Sequence, residues 1–132
     1  MRVLLCCAAA ESVASTVKSL LDRGHEVEVF DRWPEMLHDA RSRPCDAMVL
    51  ELSAALGPDG TIEPYERFAE EKMGDPRLRT VPLILIALPP DEEADQMVGW
   101  PGFLYAYLRH PMDPDAVLRV LGHLREGAIT SA

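Results

Sequence analysis

The sequence has no cluster of basic residues, no apolar run long enough to span a bilayer, and only three cysteines. Lys and Arg number 13 against 22 Asp and Glu, a net charge of −9. A surface that tracks phosphates needs clustered cations, so a nucleic-acid partner is excluded. The same acidity repels anionic membranes, and no segment approaches the length of a transmembrane helix. An odd set of cysteines (Cys6, Cys7, Cys45) with a vicinal pair is a poor disulfide framework and fits reduced thiols in a cytosol. They read as small hydrophobes buried in strands. C-x-x-C spacing is absent, and neighbours on a strand point to opposite faces, so Cys6 and Cys7 make a poor soft-metal or redox site even with His110 nearby. No metal and no cofactor are expected. Neither G-x-G-x-x-G nor a Walker loop follows the first apolar run, where A-A-A-E-S stands, and D-x-H-x-x-G is missing too.

The opening M-R-V-L-L-C-C-A-A-A has almost no basic n-region, and its apolar run is at the short end for an export signal. Leu5 rather than a small residue precedes Cys6, which argues against lipid attachment. A buried first strand and a cytoplasmic location are the expectation.

What is present is a chain of 132 residues, 48% hydrophobic and 27% charged, enough for one well-covered core. Element types alternate along it. Val3–Cys7 is a continuous apolar run, read as a strand buried on both faces. Val13, Val17, Leu20 and Leu21 form a helical stripe, and Gly24 is a natural stop. H-E-V-E-V-F alternates as a half-exposed second strand. Pro34 starts a short helix with Met36, Leu37 and Ala40 inward, and Pro44 follows its end. Residues 46–52 (D-A-M-V-L-E-L) form a third strand, and S-A-A-L-G-P-D-G reads as loop. Tyr65, Phe68, Ala69 and Met73 mark a third helix. V-P-L-I-L-I-A, ending at Ala87, is a central strand. Pro90 opens a weak helix carrying Ala94, Met97 and Val98, and a fifth strand covers Phe103–Leu108. Asp113 caps a last helix with Pro114 at its first position and Val117, Val120, Leu121 and Leu124 inward.

This is one α/β domain over residues 1–126 with a frayed tail at 127–132. Five βα units predict a doubly wound parallel five-stranded sheet in the flavodoxin-like strand order 2-1-3-4-5. On such sheets ligands gather beyond the carboxyl ends of the strands, so function must be sought near Cys7, Glu51, Ala87 and His110.

The stretches R-V-L-L, R-G-H-E-V, P-C-D-A-M-V-L-E-L, G-P-D-G, D-P-R-L-R-T-V-P-L-I-L-I-A and Y-L-R-H-P-M-D-P-D-A-V-L follow one another in an order that resembles the receiver domain of bacterial response regulators, the chemotaxis-regulator-like modules of two-component systems. The resemblance runs nearly the whole length. It implies a Mg²⁺-binding acidic pair after the first strand, an Asp acceptor ending the third, a Thr or Ser ending the fourth, and a Lys before a Pro after the fifth. A carboxylate attacking a polyanion needs the cation and the Lys to neutralise developing charge. Here the acidic-pair positions fall within Cys6–Ala9, best at Cys7 and Ala8, and none is acidic. Glu51 stands at the acceptor, Ala87 at the hydroxyl position, and His110 at the Lys, followed by Pro111. Mg²⁺ favours carboxylates and water over thiols, so the resemblance points to a degenerate pseudo-receiver, not an enzyme, acting by protein contact.

Glu51 has two readings. Its length could place charge where an acyl phosphate would lie; alternatively it is a carboxylate tolerated because that edge faces water. The second is preferred, since a carboxylate carries less charge than phosphate and Ala87 cannot respond. His110 could pair with Glu51 when protonated, but reads better as a polar edge residue. Tyr107 matches an aromatic position that moves in the family, while Tyr105 and Tyr107 equally suit strand packing. The family's docking face corresponds here to Trp100, Phe103 and Tyr105, a candidate protein or homodimer interface. The loop between Glu51 and Val81 is longer than the family pattern, around T-I-E-P-Y-E. The alternatives are a receiver still phosphorylated at Glu51 or Asp59, and a small-ligand-binding flavodoxin-like domain.

Overall fold

The computed structural model describes residues 1–87 and 104–131. Among them, β1 (Arg2–Cys6), β2 (Glu26–Phe30), β3 (Ala47–Glu51), β4 (Leu83–Ala87) and β5 (Ala106–Arg109) pair in parallel. The order is β2-β1-β3-β4-β5, as the alternation of elements predicts. The crossovers hold α1 (Ala14–Asp22), α2 (Trp33–Ser42) and α3 (Glu63–Gly74), and α4 (Pro114–Ser131) follows β5. The helix expected from Pro90 lies outside the described residues.

β1, β3 and β4 are buried at every position because each lies inside the sheet with helices on both faces. β2 is an edge strand, and its Glu-Val alternation leaves it half exposed. Leu4, Cys6, Met48, Leu50, Leu83 and Leu85 face Met36, Leu37, Tyr65 and Phe68 of α2 and α3. Val3, Leu5, Cys7, Val49, Ile84 and Ile86 face Leu20 of α1 and Val117 and Leu121 of α4. The period of two therefore sends the vicinal thiols to opposite layers, as expected.

Several boundaries differ from the sequence reading. β1 begins one residue earlier, at Arg2, because that side chain is buried at the strand's foot. The third strand stops at Glu51, and Leu52–Ala55 forms a 3₁₀ turn where loop was expected, burying Leu52 and Ala55. Val13 lies in a 3₁₀ turn preceding α1. Leu21 is not on the inner stripe: it is 54% exposed, since one step past Leu20 rotates it about 100° toward water. Gly24 ends α1 as anticipated, with φ of 84° and its N–H donating to the Leu21 carbonyl at 3.0 Å. Asp113 caps α4 by accepting the Asp115 N–H at 3.0 Å. The backbone of α4 runs on through Ser131, past residue 126.

Three polar anchors were not foreseen. The Arg2 N–H donates to the Asp46 carboxylate at 2.6 Å, while its guanidinium donates to the Arg43 and Pro44 carbonyls and pairs with Asp39. This ties the foot of β1 to the end of α2. The Asp75 carboxylate accepts the Arg77 N–H at 2.8 Å and Arg41 Nε at 3.1 Å, joining α2 to the loop before β4. The Arg77 N–H and guanidinium hold its carboxyl down at about 2. Lys72 of α3 is fully buried and donates from Nζ to the Val81 carbonyl at 2.6 Å. Burial lowers its amine from 10.5 to about 8.

Between pH 8 and 10.5 the unfolded chain still carries the Lys72 proton that the native state has released. Unfolding then takes up a proton, so stability rises with pH across that window. Urea unfolding of wild type and Lys72→Met from pH 7 to 10.5 should show the difference moving in favour of wild type by roughly 3 kcal/mol at most. A flat difference would mean that the amine is not desolvated.

Candidate functional site

The carboxyl ends of β1, β3, β4 and the segment after β5 bring Cys7, Ala8, Glu51, Ala87 and His110 to one edge of the sheet. The register sets Glu51 opposite Ile86 and Ala87 opposite Arg109. The His110 N–H donates to the Ala87 carbonyl at 2.8 Å, extending the β4–β5 ladder one residue beyond the strand. That bond points the imidazole across β4 toward β3, where His110 Nε2 lies 3.5 Å from Glu51 Oε2. The His110–Pro111 peptide is cis.

Glu51 corrects the sequence reading. Its edge was expected to face water, yet its side chain is only 3% exposed, against 36% for His110. The cause is local: the 3₁₀ turn Leu52–Ala55 packs against β4 and α3 and covers the strand end. A carboxyl so placed must be compensated by neighbouring polar groups, because burying an uncompensated charge costs several kcal/mol. His110 is one such group, and it carries charge only when protonated. The pairing that was weighed as a remnant is therefore present in the geometry.

The other positions supply little polar chemistry. Cys7 is 1% exposed and spends its N–H on the Phe30 carbonyl at 3.0 Å. Ala8 is exposed, and Ala87 is buried with only a methyl to offer. Burial, with help from Cys7, Asp31 and Glu51, pushes the Cys6 thiol up to about 12, and burial with Glu51 raises Cys7 as well. Protonated thiols are poor ligands and poor nucleophiles. The Mg²⁺ that the family resemblance implies does not fit this donor set: hard cations take carboxylate and water oxygens, and Cys7 and Ala8 stand where two carboxylates would be. Among the described residues no group of three or more His, Cys, Asp or Glu is placed to hold a metal ion.

Asp59 lies in an exposed turn closed by the Gly60 N–H donating to the Gly57 carbonyl at 2.9 Å. Tyr107 is half-buried against the α2–α3 layer, and Tyr105 is 47% exposed where the chain enters β5. Trp100 and Phe103 lie outside the described residues. No described helix is long and apolar enough to cross a membrane.

The same edge continues past β2 into residues the sequence reading passed over. Asp31, Arg32, Trp33 and Pro34, with Ala54, Leu56, Pro64 and Arg67, line an open surface groove of about 270 Å³. The signal for it was R-W-P directly after the second strand, which was read only as a helix start.

Five parallel strands in this order are the architecture of the receiver fold. No family model matches the sequence, and no curated protein matches it. Solved structures do. A sensor protein from Polaromonas sp. JS666 superposes with a TM-score of 0.76 at 17% identity, covering 96% of each chain. The chemotaxis response regulator CheY4 of Vibrio cholerae gives 0.74 at 20% identity, over 93% of this chain and 97% of its own. The signal receiver domain of a signal transduction histidine kinase from Syntrophus aciditrophicus gives 0.74 at 17%, over 96% and 90%. What this chain shares with them is the receiver, CheY-like fold along nearly its whole length.

Two outcomes follow from the edge. In a double-mutant cycle by urea unfolding, His110→Ala should destabilise by roughly 1–2 kcal/mol in the Glu51 background and by clearly less in Glu51→Gln, because the neutral amide needs less compensation. Equal losses would dissolve the pair. Iodoacetamide at pH 8 should leave Cys6 and Cys7 of the folded protein unmodified over hours, with rapid labelling of both in urea, read by peptide mass.

Proposed function

We propose that this chain is a receiver-type signalling module that works without phosphorylation, through protein–protein contact, and not as an enzyme. The observation that carries the reading is the set of groups at the carboxyl edge. Phosphoryl transfer to a carboxylate needs a divalent cation on hard oxygens, an in-line approach, and a fixed cation for the developing charge. Here thiol and methyl groups replace the oxygens. The one carboxyl at the acceptor position is buried and faces an imidazole instead of an ammonium. Ala87 has no hydroxyl with which to sense a phosphoryl group, so a phosphate at Glu51 would lack the hook that couples it to the rest of the fold.

Glu51 and His110 are, in this reading, a fixed internal pair that replaces the switch, and the degenerate positions Cys7, Ala8, Ala87 and Tyr107 are packing. Contact with a kinase, an output protein or another signalling domain falls to the surface around β5, where Tyr105 exposes a large ring; Trp100 and Phe103, the other candidates for that interface, lie outside the described residues. A second copy of the chain is a candidate for the same face. The absence of basic clusters and the charge of −9 favour protein over nucleic acid, and a cytoplasmic setting fits the reduced thiols.

Intact mass after incubation with acetyl phosphate and Mg²⁺ should show no 80-Da adduct, a shift set by phosphoryl chemistry alone. Beryllofluoride with Mg²⁺ should leave Trp fluorescence unchanged. An adduct mapped to Glu51 or Asp59 would establish a phosphorylated receiver instead.

A further inference from the structure

The groove beside β2 goes beyond that reading and does not rest on it. Its walls come from three places: the β2–α2 junction gives Asp31, Arg32, Trp33 and Pro34, the 3₁₀ turn after β3 and its end give Ala54 and Leu56, and the start of α3 gives Pro64 and Arg67. The β3–α3 connection, whose lengthened part contributes Pro64, thus builds one wall of an open groove.

The chemistry of the lining is selective. Arg32, Arg67 and Asp31 line the groove, and Glu63 pairs with Arg67 at its rim, so two guanidinium groups stand among two carboxylates in a chain of net −9. The Arg32 side chain has no hydrogen-bond or ion-pair partner among the described residues. Arg67 has only Glu63, at 3.7 Å between exposed side chains, a pairing of the kind that is weak and easily exchanged. Repulsion from the distant acids is screened beyond about 10 Å in ordinary salt, so the near groups decide what binds, and of these Arg32 is the cation without a side-chain partner among the described residues. Trp33 is held by its edge-to-face contact with Phe68, ring centres 5.7 Å apart, and so offers a rigid aromatic wall. Leu56, Ala54 and the two prolines make the remainder apolar. The volume, about 270 Å³, lies just below the range of drug-sized sites, roughly 300–1,000 Å³.

We infer that this groove binds a small aromatic anion: a ring lying against Trp33, with a carboxylate or phosphate held by Arg32 and Arg67. Guanidinium groups suit both head groups because their paired donors match both oxygen geometries. The Asp31 carboxylate disfavours a second anionic group on the ligand and favours a hydroxyl or amino substituent.

Titration of ¹⁵N-labelled full-length protein with benzoate and with phenyl phosphate at matched ionic strength tests the site. Phenol and inorganic phosphate serve as the uncharged and ringless controls. The ringed anions should give saturable shifts at the Trp33 indole and at residues 31–35, 54–56 and 64–67, with much weaker responses to either control. The tighter of the two identifies the preferred head group. Arg32→Ala, an exposed substitution that leaves the fold intact, should weaken binding about tenfold or more, and Arg67→Gln likewise, whereas Arg79→Ala should not. No saturable shift at millimolar probe, an equal response to phenol, shifts centred elsewhere, or undiminished affinity in Arg32→Ala would each overturn the inference. A phosphoryl adduct at Glu51, which would sink the function proposed above, leaves this outcome untouched.

Discussion

At the end of the central strand β3 the carboxyl of Glu51 is almost wholly removed from water, with an imidazole from beyond β5 within 3.5 Å. The arrangement of the whole edge follows from the need to accommodate that group. A parallel sheet buries its strands on both faces, so polar chemistry can surface only where strands end. Here the strand end is itself roofed by the Leu52–Ala55 turn. The carboxyl therefore depends on fixed partners instead of solvent, and one of them reaches over β4 because the His110 N–H extends the β4–β5 ladder by one more hydrogen bond. A group held in this way is restrained at a strand end that solvent scarcely reaches, which is the constraint the function proposed above draws on.

The fold was readable because its signals are redundant. The runs ending at Cys6, Glu51 and Ala87 are long enough in apolar residues to be interior strands, and E-V-E-V marks β2 as the edge. With helices between them, handedness and crossover rules leave few orders of strands. The vicinal thiols separated into two layers because period two fixes them whatever the exact strand ends. Leu21 misled because hydrophobicity alone cannot separate a position facing the core from one at the rim of the apolar stripe.

The site was half legible. Which residues occupy the edge followed from strand ends, but how buried Glu51 is did not, because burial there depends on a 3₁₀ turn that Gly57 and Pro58 disguised as open loop. Lys72 and Arg2 were invisible for the same reason. A charged residue at an inward helical position or a strand's foot reads as a boundary error until its partner carbonyls, from Val81 or from Arg43 and Pro44, are seen to fold around it.

The groove at Trp33 adjoins an edge that holds little anionic chemistry. Cys7 and Ala8 place a thiol and a methyl at the end of β1, so that strand end adds no carboxylate to compete for the arginines of the neighbouring rim. Here the nearest residues at the end of β1 are a protonated thiol and a methyl, and Glu51 is paired inward with His110. Arg32, and Arg67 with only its weak pair to Glu63, therefore meet no competing carboxylate from the end of β1, which is the electrostatic condition that the proposed anion site needs.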